Sequence, residues 1–332
     1  MSDFYRASYL TPNHDGWELM LRRTRRADLP EGPASPVLIV PGYGMNAFIF
    51  GFHPSGRSLS EHLAWRGLDV FTVDLRAQGD SVAVSREARR HPTRGFGLAA
   101  LSGVDLTAAL DQIRDLTGRP RVSVIGASLG ATLVFAHLAL VGPSLVDRVV
   151  SLGGPLRWES VHPMVALAFS SPRLAGALHF RGTRRLAAAA LPLLTRAPSL
   201  LRLYVNAEVS DLSRAQEMVA TVADPIAQVN REIAEWIAAR DLVLDGRNVT
   251  EGVRASEHPL LCVLANADGV VPQATARSPF DQSGSRDKSL LVVGDPAHPY
   301  AHADLFIARE AEARVFEPIA RFLATPTRPT DR

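Results

Sequence analysis

The residues best placed to do chemistry lie in 122–131, Val-Ser-Val-Ile-Gly-Ala-Ser-Leu-Gly-Ala, where an apolar run enters Gly126-Ala127-Ser128-Leu129-Gly130 and a helical pattern follows. A serine held in a tight turn between strand and helix presents its hydroxyl above the sheet. Its neighbours two residues away must then lack bulk so that strand and helix can approach each other. Gly126 and Gly130 meet that requirement. The helix directs its N-terminal amides at the serine, so the Leu129 N–H can hold a developing oxyanion. This is the chemistry of nucleophilic attack on a carbonyl carbon, with Ser128 as the nucleophile.

Such a serine needs a histidine to take its proton, a carboxylate to orient the histidine and a second amide for the oxyanion. Ten histidines are available, and two of them, His298 and His302, stand in one stretch after the apolar run 290–293. Asp268 lies in Asn266-Ala-Asp-Gly-Val-Val-Pro272, directly after the run 260–264. A glycine-flanked loop, Pro41-Gly42-Tyr43-Gly44-Met45-Asn46, follows the run 37–40 and leaves the Tyr43 N–H free to face a substrate. Plainer readings stand beside these. Asp-Gly pairs and glycine loops are ordinary turns. His298, His302 and Asp304 could ligate a metal, although no further ligand cluster supports it.

The elements that must carry these residues are legible in the periodicity. Segments 4–10 and 17–22, separated by Pro12-Asn-His-Asp-Gly16, read as an antiparallel hairpin at the sheet edge. After them, continuous apolar runs at 37–40, 70–73, 122–125, 146–152, 260–264 and 290–293 predict strands buried on both faces. Helical spacing at 58–66, 99–117, 129–141 and 309–323 predicts the crossovers of a mostly parallel, doubly wound α/β sheet. Residues 155–256 break this rhythm: they are rich in Ala, Leu and Arg and show no convincing strand. An inserted helical cap over the strand C-terminal ends is expected there, because a compact domain does not carry so long a structureless connection. The expected division is a core of 1–154 and 257–325, a cap of 155–256 and a disordered tail of 326–332.

With its motifs in chain order, the sequence resembles the α/β-hydrolase superfamily over nearly its whole length apart from the cap. Asp74-Leu-Arg-Ala-Gln-Gly-Asp-Ser81 is similar to that family's Asp-x-Arg-Gly-x-Gly-x-Ser loop, with Ala77 for one glycine. The resemblance implies Ser128 as nucleophile, Asp268 as acid and His302 as base, because family members carry His-x-Asp-Leu ahead of the final helix. It also implies the Tyr43 and Leu129 amides as the oxyanion hole. A looser similarity is to polyhydroxyalkanoate synthases and acid lipases, resting on Pro41-Gly42, the 46–50 segment, Ser58-Leu59, Gly67 and the Asp74 loop. Ser128 stands where the polymer synthases carry cysteine, which favours acyl transfer to water. The implied activity is hydrolysis of a small-molecule carboxylic ester or thioester without a cofactor. The apolar stretches 164–169 and 186–194 favour a hydrophobic acyl group, or else simply pack the cap onto the core.

Bulk composition narrows the field. Hydrophobic residues make up 46% and charged residues 21%, so the chain is expected to fold as a packed globular protein. The formal net charge of +2 gives no nucleic-acid signal, and the clusters Arg22, Arg23, Arg25, Arg26 and Arg181, Arg184, Arg185 read as solvated surface, since no aromatic residues alternate with them. The single cysteine, Cys262, reads as a small buried hydrophobe. The polar start of the chain lacks a signal-peptide core and no apolar stretch is long enough to span a bilayer, so a cytoplasmic, non-spanning protein is expected. Two rival activities remain at this level: an acyltransferase on the same fold, and a nicotinamide-dependent oxidoreductase using Gly42-x-Gly44-x-x-Ala47 and Asp74. In the second case the glycines at 51 and 56 and Pro54 oppose the immediate helix that a dinucleotide site requires.

Overall fold

Because successive strand side chains point to opposite faces, a strand that is apolar throughout must be covered on both sides. The computed structural model, which describes residues 3–29, 35–177, 182–194 and 201–325, shows this arrangement. The tail 326–332, Arg181 and the side chains of 191–194 lie outside the described residues. The strands are β1 (Phe4–Pro12), β2 (Trp17–Arg26), β3 (Pro36–Val40), β4 (Asp69–Asp74), β5 (Val82–Ala83), β6 (Val122–Ala127), β7 (Val146–Leu152), β8 (Val243–Leu244), β9 (Arg247–Asn248), β10 (Leu260–Ala265) and β11 (Lys288–Val293). The main sheet runs β1-β2-β4-β3-β6-β7-β10-β11, with β5 also paired to β2. Pairing is parallel from β4 through β11, while β2 runs antiparallel to β1 and β4.

Alternation along β3 divides the core. Leu38 and Val40 belong to one apolar cluster, which includes Leu106, Leu110, Leu133 and Val253 from helices on that face. Val37 and Ile39 belong to the other, with Leu59, Leu63, Phe316 and Ile319. The sheet is therefore mostly parallel with helices on both faces, as the periodicity predicts. Cys262 is fully buried in the first cluster, and burial pushes its thiol pKa up.

The expected helices form with local reasons at their ends. Leu59–Trp65 starts at a Ser58/Glu61 capping box, and Leu106–Thr117 stops at Gly118, which has φ 67°. One helix not foreseen, Gln273–Gln282, contains Pro279. There the Ser278 hydroxyl donates to the Thr275 carbonyl at 2.7 Å, the acceptor that a proline at 279 cannot serve. The same helix anchors the start of the segment after β7: Ser278 Oγ accepts the Leu156 and Arg157 amides, and Thr275 Oγ accepts those of Glu159 and Ser160.

Between β7 and β10 the described chain is mainly helical, including Pro163–Ala168, Pro172–Ala177, Thr183–Leu194, Ala227–Ala239 and Val249–Ala255. The expectation of no strand there is corrected by the small β8–β9 hairpin. Asp245 (φ 48°) and Gly246 (φ 76°) form its two-residue turn, the Asp-Gly signal of a type I′ connection. Among the described residues no helix is long and apolar enough to cross a membrane.

Candidate active site

Register aligns the strand ends. Val40 pairs with Gly126, Ala127 with Leu152, Val263 with Leu152 and Ala265 with Val293, so the loops after β3, β6, β10 and β11 leave one edge of the sheet together. Hydrogen bonds continue past the strands: Ser128 N donates to Leu152 O at 2.8 Å, Gly153 N to Val263 O at 2.8 Å and Asn266 N to Val293 O at 2.9 Å. Ligand sites of open α/β sheets form outside this edge.

Ser128 sits half-buried at the turn from β6 into the helix Leu129–Leu140, with φ 53° and ψ −124°, a conformation costly for a residue with a Cβ. The surrounding glycines show what makes the turn possible. A Cβ on Gly126 would lie 2.3 Å from Ala131 Cα, one on Gly130 2.3 Å from Val40 O, and one on Gly154 2.2 Å from Ala131 Cβ. Leu129 is the first helical residue, so its amide has no intrahelical acceptor.

Gly42 closes the opposite side. A Cβ there would stand 2.9 Å from Ala127 O and 3.0 Å from Ser128 Cβ, so the backbone leading to Tyr43 abuts the elbow. The loop leads into a short 3₁₀ turn, Ala47–Gly51, and the next α-helix begins only at Leu59. Gly42 thus serves close approach to Ser128, and the dinucleotide reading lacks its helix. The Tyr43 side chain donates from its hydroxyl to Asn230 Oδ1 at 2.7 Å and meets Phe169 edge-on at 6.0 Å. Desolvation of this hydroxyl pushes its pKa up to about 12.

Asp268 is buried in the turn after β10. Its Oδ1 accepts the Val270 and Val271 amides, both at 2.8 Å, and its Oδ2 meets His302 Nδ1 at 2.6 Å. His302 is likewise buried, and its ring lies over Gly153, whose Cβ would approach Cε1 to 3.4 Å. Tyr204, from the segment between β7 and β10, lies beside the imidazole with ring centroids 5.9 Å apart. His298, the alternative histidine, is 65% exposed beside Asp295 and does not reach this group.

Asp304, two residues beyond His302, is a site residue whose partner was not legible in the sequence. Its carboxylate accepts the Ala301 amide at 2.7 Å, the Asn206 amide at 3.0 Å and the Ser210 hydroxyl at 2.5 Å. It therefore ties the histidine loop to the segment 201–210. Burial raises its pKa to about 6, and the Ser210 and amide hydrogen bonds act against that shift. With Asp304 so engaged and His298 on the surface, the three residues are not gathered as metal ligands. Among the described residues no group of three His, Cys, Asp or Glu side chains could hold a metal ion.

One edge of the sheet thus carries a serine at a strained turn and an imidazole hydrogen-bonded to a carboxylate, groups that acyl transfer can use. Comparison with known proteins agrees on the fold. No curated protein matches the sequence. Solved structures that match include a bromoperoxidase from Bacillus anthracis (TM-score 0.63, 16% identity, covering 96% of this chain and 100% of that one). An esterase from Exiguobacterium antarcticum matches with TM-score 0.60 and 16% identity over 96% and 99% of the two chains. A thermophilic esterase from Thermogutta terrifontis matches with TM-score 0.60 and 17% identity over 96% and 98%. The family described as serine aminopeptidase, S33, matches residues 33–301, a span that holds the elbow and Asp268 and stops one residue before His302. The chain therefore belongs to this serine aminopeptidase-like family of α/β hydrolases.

Proposed function

We propose that this hydrolase cleaves a carboxylic ester or thioester with a hydrophobic acyl group, using Ser128, His302 and Asp268 as a catalytic triad. The observation that carries the reading is the 2.6 Å contact between Asp268 Oδ2 and His302 Nδ1, at the sheet edge where Ser128 occupies its strained turn. With Nδ1 donating to the carboxylate, Nε2 is left as the base. His302 takes the Ser128 proton as Oγ attacks the carbonyl carbon, and the negative charge on the carbonyl oxygen is met by the Leu129 and Tyr43 amides. The imidazolium returns its proton to the departing alkoxide or thiolate. Water, deprotonated by His302, then attacks the acyl-enzyme and releases the acid, restoring Ser128.

Residues 155–256 act as the cap in this reading. Val165 and Phe169 pack partly against the core cluster and Phe169 meets Tyr43 edge-on, so apolar walls stand beside the loop after β3. These walls favour an acyl chain over the charged N-terminus of a peptide, although the family takes its description from aminopeptidases. Acyl transfer to an alcohol or amine would use the same groups and differs only in what attacks the acyl-enzyme.

The test is hydrolysis of p-nitrophenyl esters of rising chain length together with fluorophosphonate labelling, in wild type and Ser128→Ala. Turnover and labelling that vanish in the variant support the reading, and the preferred length sizes the pocket. A wild type that neither turns over nor labels overturns it. Ester products formed with added alcohols would move the assignment to transfer.

A further inference from the structure

The acid and the base of the proposed triad stand on separate loops, after β10 and after β11, and a further segment crosses both. Residues 203–210, from the chain between β7 and β10, make this crossing with their main chain. The Leu203 carbonyl accepts the amide of Gly269, the residue after Asp268, at 3.2 Å. The Tyr204 carbonyl accepts the amide of Ala303, the residue after His302, at 2.7 Å. A Cβ on Gly269 would stand 2.5 Å from Leu203 Cδ2 and 2.8 Å from its Cα, so the segment lies directly on the loop of the acid. Farther along, Asn206 Nδ2 donates to Pro299 O at 2.8 Å, and Arg309 N donates to Val209 O at 2.9 Å.

Asp304 sits at the centre of this crossing and is fully buried. Its Oδ2 accepts the amide of Ala301, the residue before His302, at 2.7 Å and the Asn206 amide at 3.0 Å. Its Oδ1 accepts the Ser210 hydroxyl at 2.5 Å. Both neighbours of His302 in the chain are therefore held by their amides, Ala301 by Asp304 and Ala303 by Tyr204. Burying a carboxylate among neutral donors is costly, and apolar packing would join two segments at less cost. What the carboxylate adds is direction, since its two oxygens accept from both segments at once and fix them at set distances.

We infer that Asp304 is a positioning residue for His302, locking the histidine loop to residues 206–210 so that the imidazole keeps Nδ1 on Asp268. Asp304 acts through His302 and has no part at the reacting atoms. Its kinetic consequence rests on the proposed triad; the state of the imidazole does not, and is readable without substrate. Part of the stretch expected as cap thus frames the acid–base pair, including the Tyr204 ring beside the imidazole.

The experiment is ¹⁵N NMR of the histidine ring nitrogens in the labelled full chain at about pH 8, where an ordinary imidazole is neutral. The His302 signals are identified by their loss in His302→Gln. Wild type is expected to carry the His302 proton on Nδ1 and to leave Nε2 bare. Asp304→Asn turns an NH₂ toward converging donors, so the loop shifts and the ring should populate both tautomers. On p-nitrophenyl esters its kcat should fall about ten- to a hundredfold while KM moves less than about twofold. Ser210→Ala removes one donor and keeps the carboxylate; it should move both readouts the same way by less, and it carries the test if Asp304→Asn does not fold. Val253→Ala, a core truncation in the cluster on the other face of the sheet, supplies a variant with a lowered melting temperature but wild-type tautomer and kcat. Asp304→Asn that keeps a pure Nδ1–H tautomer and a wild-type kcat, losing only melting temperature as Val253→Ala does, overturns the inference. So does a wild-type His302 whose proton sits on Nε2. Wild type that turns over no ester counts against the proposed ester chemistry alone, and the tautomer still decides the role of Asp304.

Discussion

Asp74 at the end of β4 accepts the Ala47 amide on Oδ1 at 2.8 Å. Its Oδ2 takes Arg22 at 2.8 Å and the Asp80 amide at 3.0 Å. One buried carboxylate thus joins the loop after β3, which carries Tyr43, to the loop after β4 and to the edge strand β2. Gly79 makes room for it, since a Cβ there would stand 2.1 Å from Oδ2. Asn46 completes the brace from the other side: its amide donates to Thr221 O at 2.8 Å and its Nδ2 to Ala220 O at 2.9 Å.

Asp74→Asn should show what that tie contributes. An asparagine can still accept from Ala47 with its oxygen, but its NH₂ then faces the donors of Arg22 and Asp80. The expected cost is about 1–3 kcal/mol in urea denaturation. A larger fall in kcat than rise in KM on the ester substrates should accompany it, because the loop bearing the proposed oxyanion donor loosens.

Asp268→Asn tests the orientation of the imidazole. The Val270 and Val271 amides hold the side-chain oxygen, leaving the new NH₂ pointed at His302 Nδ1, so the ring must expose the wrong tautomer to Ser128. A fall in kcat on the order of 10⁴-fold is expected, with an unchanged fold by circular dichroism. A variant that retains near-normal kcat would remove Asp268 from the proposed triad.

Gly153→Ala probes the floor under His302. Gly153 has φ 63°, and an added Cβ would lie 3.4 Å from His302 Cε1 and 3.2 Å from Leu305 Cδ1. Left-handed strain predicts a loss of about 1–2 kcal/mol of stability. The displaced ring predicts a fall in kcat of roughly ten- to a hundredfold, read from initial rates at saturating ester.

Acid should weaken the fold through buried histidines. Burial lowers the pKa of His53, His137 and His258 below the ordinary 6.5, and His137 Nε2 is buried without a partner. The native state therefore binds fewer protons than the unfolded chain. Stability from this source is complete above 6.5 and declines as pH falls from there toward the lowered values. Asp304 acts with the opposite sign. Its pKa is raised from 3.8 to about 6, so its contribution grows as pH falls through that interval. Urea midpoints measured from about pH 7 to pH 5 should fall, and His137→Leu should flatten the decline.

Local signals were enough for the sheet strands, the elbow and the helices that cover the two faces, because a two-residue or 3.6-residue period and a glycine beside a tight turn are properties of neighbouring residues. Two local signals were present but outweighed. The Asp245-Gly246 hairpin was lost inside a helical composition, and Pro279 masked the helix Gln273–Gln282, which survives because Ser278 serves the freed carbonyl. What the sequence determined by itself was therefore which residues stand on which loops: Tyr43, Ser128, Asp268 and the pair His298 and His302. Which of them meet was decided by tertiary structure. Strand order and register bring the ends of β10 and β11 together, so His302 reaches Asp268 at 2.6 Å while His298 faces solvent. The ties from Asp74 to Ala47 and from Asp304 to Asn206 and Ser210 were also beyond sequence reach. Each joins residues far apart in the chain, and one buried carboxylate looks like any other until the fold supplies its donors.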